Sequence, residues 1–162
     1  MILGELDPRE LASRLAGTGL RLRTGPVVNT IQSRLEPVIE GVARHYADFP
    51  LEGSESFADF HVRVDPPRGL RRWLKPQVLF HFDSTQPFKP LPGAQAFAML
   101  EWGLNWCVTN HCHQYLIVHA AAVERSGYAL ILPGPPGSGK STLCAGLVNR
   151  GWRSCATGEV VE

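Results

Sequence analysis

Apolar and polar residues alternate along this chain with two different periods, and the change from one to the other marks out its elements. The opening Leu6-Asp7-Pro8-Arg9-Glu10-Leu11 reads as a helix start, because Asp7 can cap free amides and proline is tolerated at the first helical position. Gly17 should end that helix. Leu20, Leu22, Val27, Val28 and Ile31 alternate imperfectly with polar residues around Thr24-Gly25-Pro26, which predicts a hairpin. Leu35, Val38, Ile39, Val42 and Tyr46 then recur at steps of three and four, so an amphipathic helix is expected from Leu35 to Tyr46, closed by Phe49-Pro50.

Phe60-His61-Val62-Arg63-Val64 alternates cleanly and stops at Pro66-Pro67, and Val78-Leu79-Phe80-His81-Phe82 is a second strand of this kind. Pro87, Pro90 and Pro92 predict an extended connection. From Ala94 to Val108, Phe97, Leu100, Leu104 and Val108 share one helical face with Met99, Trp102 and Trp106 beside it; a helix this apolar should be buried on most sides. Tyr115 to Val123 reads as a continuous apolar strand containing His119, and Tyr128 to Leu132 as its hairpin partner through Glu124-Arg125-Ser126-Gly127.

Composition narrows the class. The chain has 162 residues, 44% of them apolar and 19% charged, which supplies a core and excludes a disordered polymer. A net charge of +1 argues against a nucleic-acid binder held by bulk charge. No apolar run approaches the ~20 residues of a membrane helix, and Met1-Ile2-Leu3-Gly4-Glu5 lacks signal-peptide order, so a cytoplasmic protein with no membrane partner is expected. Cys107, Cys112, Cys144 and Cys155 are too sparse for a disulfide scaffold and are expected as free thiols. Cys107, His111, Cys112 and His113 fit no standard zinc spacing, so no metal is expected there. Arg68, Arg71, Arg72 and Lys75 around Trp73 read first as a solvated loop, and second as a docking or phosphate-contact patch.

The chemistry lies in Gly134-Pro135-Pro136-Gly137-Ser138-Gly139-Lys140-Ser141, followed by Thr142, which satisfies G-x-x-x-x-G-K-[ST] in the required context. A strand precedes it. A helix from Ser141 to Arg150 follows, with Leu143, Leu147 and Val148 expected inward and Gly151 as its stop. Glycines let the backbone wrap a polyphosphate so that N–H groups and the positive helix end point at it, while Lys140 neutralises the β and γ phosphates. Ser141 is placed to ligand Mg²⁺. Trp102 and Trp106, a turn apart, are expected as core rather than as a stacking platform, and Cys144 as a packing residue.

P-loop enzymes also need an acidic residue at the end of a neighbouring strand. Here the last aspartate is Asp83, and beyond Lys140 the only carboxylate side chains are Glu159 and Glu162. From Gln114 onward there are about 50 residues, against the ~100 of a domain that closes its own core.

Leu116-Ile117-Val118-His119-Ala120-Ala121-Ala122-Val123, then Ala129-Leu130-Ile131-Leu132-Pro133-Gly134 and the loop, resemble the P-loop core of HPr kinase/phosphorylase. With Tyr46-Ala47-Asp48-Phe49-Pro50 included, the chain more closely resembles the group called HprK-related kinase A, up to about Arg153. The resemblance implies an α/β fold: a small mixed N-terminal domain over 1–113, then over 114–162 the first part of a P-loop kinase core of the HPr kinase/phosphoenolpyruvate carboxykinase type. It implies ATP with Mg²⁺, and phosphoryl transfer to the hydroxyl of an unidentified protein or small molecule, encoded in the same gene cluster. Gly134, Gly139, Lys140 and Ser141 match the nucleotide loop, and His119 matches a histidine of the preceding strand, a catalytic candidate. After Arg150-Gly151-Trp152-Arg153, the family's acidic pair falls on Thr157 and Gly158, with Glu159 as a displaced substitute. The expectation is a kinase core cut short after the loop helix, crippled by loss of its acidic strand through a frameshift or early stop. The alternatives are a non-catalytic nucleotide-binding regulatory fragment and another P-loop NTPase such as a nucleotide kinase.

Overall fold

The computed structural model describes residues 1–67, 76–118 and 120–155. The basic cluster Arg68, Arg71, Arg72, Lys75 with Trp73, the strand histidine His119, and Thr157, Gly158, Glu159 and Glu162 lie outside the described residues. The chain divides into two compact units, Met1–His111 and Cys112–Glu162, and the elements confirm a mixed α/β protein.

In the first unit, helix α1 (Pro8–Ala16) begins where the sequence places it: the Asp7 carboxylate accepts from the amides of Arg9 at 2.8 Å and Glu10 at 3.4 Å. Strands β1 (Leu20–Thr24) and β2 (Val27–Ser33) form the expected hairpin. Helix α2 (Glu36–His45) crosses over to β3 (Phe60–Asp65), which pairs parallel with β2; β4 (Gln77–Phe82) and the short β5 (Leu91–Pro92) complete the order β1-β2-β3-β4-β5. Alternation sends Leu20, Leu22, Ile31, Val62, Val64, Val78 and Phe80 to one sheet face, where all are buried.

Helix α3 (Ala96–His111) packs on β3 and β4 through Met99, Leu100, Gly103, Leu104 and Cys107. It is not buried on most sides. Trp102, expected in the core, is 53% exposed, because its position points away from the Gly103 line that meets the sheet; its ring stacks instead on Phe88 at 4.4 Å between centroids. Phe88 comes from the proline-rich connection, so this stack pins that connection to the helix. Trp106 is half-buried, edge-on to Phe82 and Phe88.

The second unit contains β6 (Ala120–Arg125), β7 (Tyr128–Pro133), α4 (Lys140–Val148) and β8 (Arg153–Ser154), in sheet order β7-β6-β8. The strand expected from Tyr115 begins only at Ala120. Its first ladder partner is Pro133, the last residue of β7, beyond which the glycine-rich loop offers no strand to pair with. Leu116, Ile117 and Val118 are accordingly exposed.

Candidate functional site

The hairpin that delivers the loop is fixed at both ends. Ser126 and Gly127 both have positive φ, 56° and 82°, the backbone of a type I′ turn whose twist matches that of the strands. Glu124 clamps this turn: its carboxylate accepts from the Gly127 amide at 2.8 Å and from Arg153 Nε of β8 at 3.0 Å. Those two donors, the amide first, hold Glu124 below the usual carboxylate range.

From Pro133 the chain leaves the sheet. Gly137 and Gly139 take φ of 79° and 84°, left-handed backbone that a side chain would strain, and Gly139 is also the N-cap of α4. The first helical bond runs from the Leu143 amide to the Gly139 carbonyl at 2.9 Å. The amides of Lys140, Ser141 and Thr142 therefore have no carbonyl of their own helix to bond, and they form the positive end of α4. A Cβ at Gly134 would stand 2.9 Å from Ser138 Oγ, so a side chain there would turn the serine hydroxyl aside. Pro135 accepts from the Ser138 amide at 3.2 Å, which closes the turn through Pro136.

Lys140 arches back over the loop. Its ammonium donates to the carbonyl oxygens of Gly134 at 2.7 Å and Pro135 at 3.0 Å. An ammonium has three donors, and these bonds leave one for an anion held by the loop amides. Lys140, Cys144 and Leu147, at i, i+4 and i+7, form the half-buried side of α4. The inward face expected from Leu143, Leu147 and Val148 is thus corrected in part: Leu147 is half-buried, but Leu143 is 53% and Val148 38% exposed, because α4 meets its sheet, at β6 and β8, along the Lys140, Cys144 and Leu147 side.

The loop, Ser141 and Thr142 lie in one continuous segment, as the motif requires. Ser141 sits one residue into the helix, where a hydroxyl beside the phosphate cup could ligand Mg²⁺. β7 and β8 are both antiparallel to β6, so they run parallel to each other, and β8 points to the sheet edge from which the loop springs. That edge is where the acidic residue of a P-loop enzyme is needed. Glu124, the described carboxylate of this sheet, lies instead at the turn end and is fully engaged. Cys144 and Cys155 carry free thiols, and no metal-binding cluster occurs among the described residues. No helix among them is long and apolar enough to cross a membrane.

Sequence reasoning did not single out the Pro135 carbonyl or Glu124 as working parts of this unit. The carbonyl acts through backbone geometry, which residue type does not encode, and the Glu124 carboxylate acts through partners, the Gly127 amide and Arg153, that only the fold brings to it. Comparison with family models, curated proteins and solved structures returned no match for this chain.

Proposed function

We propose that the second unit binds Mg-ATP through Gly134–Thr142 and belongs to a kinase of the HPr kinase-related type, transferring a phosphoryl group to a hydroxyl acceptor. The observation that carries this reading is the Lys140 ammonium, anchored on the Gly134 and Pro135 carbonyls above two left-handed glycines and an uncapped helix end. A glycine turn that merely joined strand to helix would need no charge at this point. The β6–β7 hairpin ahead of the loop favours this type over a nucleotide kinase, which begins at its loop strand.

In this reading the loop amides and Lys140 bind the β and γ phosphates, Ser141 holds Mg²⁺, and the Thr142 amide and hydroxyl meet the α phosphate. Magnesium supplies neutralisation of the charge that develops between the phosphates. Calorimetric titration tests the reading: Mg-ATP should bind the wild type and fail to bind Lys140→Ala, and equal binding by both would sink it.

A second reading is nucleotide binding without turnover, favoured by the engagement of Glu124 at the far end of the sheet. It predicts bound ATP that is not hydrolysed. Hydrolysis that depends on Lys140 would count against this second reading.

A further inference from the structure

Strand β7 stands at the end of the order β7-β6-β8: one of its edges faces β6, and no strand among the described residues pairs with the other. The register tells which backbone groups that free edge carries. In a hairpin with a two-residue turn the pair flanking the turn exchanges both hydrogen bonds, and such pairs then alternate along the ladder. Arg125 with Tyr128, Val123 with Leu130 and Ala121 with Leu132 are therefore the bonded pairs, while Ala129, Ile131 and Pro133 turn their backbone groups outward. The far side of β6 agrees, since the carbonyl of Ala122, which lies opposite Ile131, accepts from the Cys155 amide at 3.0 Å on the β8 side. Proline has no amide, so the outward donors of β7 are Ala129 and Ile131.

Natural edge strands are blunted by brevity, charge, an interior proline or a bulge. β7 has none of these: it runs for six residues without a charged side chain, its one proline is the last residue, and its ladder with β6 is unbroken. Tyr128, Leu130 and Ile131 are exposed on it, and they lie on both faces of the sheet. The fully buried apolar side chains among the described residues of this unit are Cys112, Ala121 and Val123, so the unit's own core leaves this strand uncovered.

We infer that β7 pairs antiparallel with β7 of a second copy of this chain, about a two-fold axis at Leu130, and joins the two three-stranded sheets into one of six strands. What selects this occupant is that the strand is complementary to itself. With Leu130 opposite the partner's Leu130, each Ala129 faces the partner's Ile131, and all four outward amides of the two copies find carbonyls. Side chains match as well. On the face that carries Ala122, large Ile131 lies beside the partner's small Ala129; on the face that carries Val123, Tyr128 lies beside the partner's Leu132. Centring the axis on Ile131 instead would set Tyr128, the most exposed of these side chains, against the start of the glycine-rich loop and leave it uncovered. The pairing does not rest on nucleotide binding.

Sedimentation equilibrium of the full chain and its variants tests this. The wild type should populate a dimer as concentration rises, and exchange of the Ala129 and Ile131 amides should slow with it, a readout that needs no variant to fold. Ala129→Pro removes an outward amide and no bond to β6, and Ile131→Lys sets a charge on the edge; each should weaken the dimer by about tenfold or more while the far-ultraviolet circular dichroism stays that of the wild type. Leu130→Cys treated with oxidised glutathione should give a disulfide dimer through the introduced thiols, because a non-hydrogen-bonded pair stands about 4.5 Å apart at Cα, and Tyr128→Cys should not. A wild type that stays monomeric would overturn the pairing, and slow exchange at Ala129 and Ile131 in that monomer would mean that a segment of the same chain covers the edge. A dimer kept by both edge variants, or Leu130→Cys without the crosslink, would overturn it as well.

Discussion

The ring of Phe80 on β4 occupies the space in which any side chain at Gly103 of α3 would stand: a Cβ there would lie 2.0 Å from the ring. Phe80 is fully buried, so neither partner can step aside. Gly103→Ala should therefore destabilise the first unit by about 1–3 kcal/mol or more, despite alanine's better helix propensity, through overpacking. Gly41 of α2 stands in the same relation to Phe97, at 2.2 Å. Denaturant unfolding followed by tryptophan fluorescence checks this, and an unchanged or raised midpoint in Gly103→Ala would refute the packing.

Tyr46, just past α2, donates its hydroxyl hydrogen bond to the Glu101 carboxylate on α3. Burial first, then that bond and the charge of Glu101, push the phenol far above the usual tyrosine value. A raised folded value means stability that is complete below the unfolded phenol's pKa of about 10 and lost as pH climbs beyond it. Unfolding free energy should thus fall progressively above about pH 10, and Tyr46→Phe should flatten that decline while costing about 1–3 kcal/mol at neutral pH. Parallel alkaline slopes for the two proteins would contradict the assignment.

Glu124 works in the opposite sense. Its carboxylate is held low by the Gly127 amide and Arg153, so what it contributes is present above the unfolded carboxylate's pKa and disappears as pH falls through the folded one. Protection of the Gly127 amide, taken against its intrinsic exchange rate at each pH, should fall at acid pH in the wild type and be low already at neutral pH in Glu124→Gln. A Gly127 amide equally protected in both would remove the clamp.

Much of this architecture is legible in residue patterns. The Asp7 cap, the β1–β2 hairpin, α2, β3 and β4 follow from local periodicity, since each element buries one face against its own unit. The glycine-rich loop is equally legible, because positive φ and an anchored lysine leave a direct mark on residue type. What periodicity misreads is side-chain direction: α4 meets its sheet along Lys140, Cys144 and Leu147 rather than through Leu143 and Val148, and the Gly103–Phe80 contact turns Trp102 outward. The apolar run from Tyr115 misleads for a different reason, since a strand needs a partner and its own residues cannot reveal that β7 has already turned into the loop.

The most direct test of the phosphate-loop account is the amide NMR spectrum of ¹⁵N-labelled protein as Mg-ATP is added. The account predicts that the largest shifts fall on the backbone amides from Gly137 to Thr142 and that Lys140→Ala abolishes them. Shifts absent from those amides, or undiminished in the variant, would contradict it.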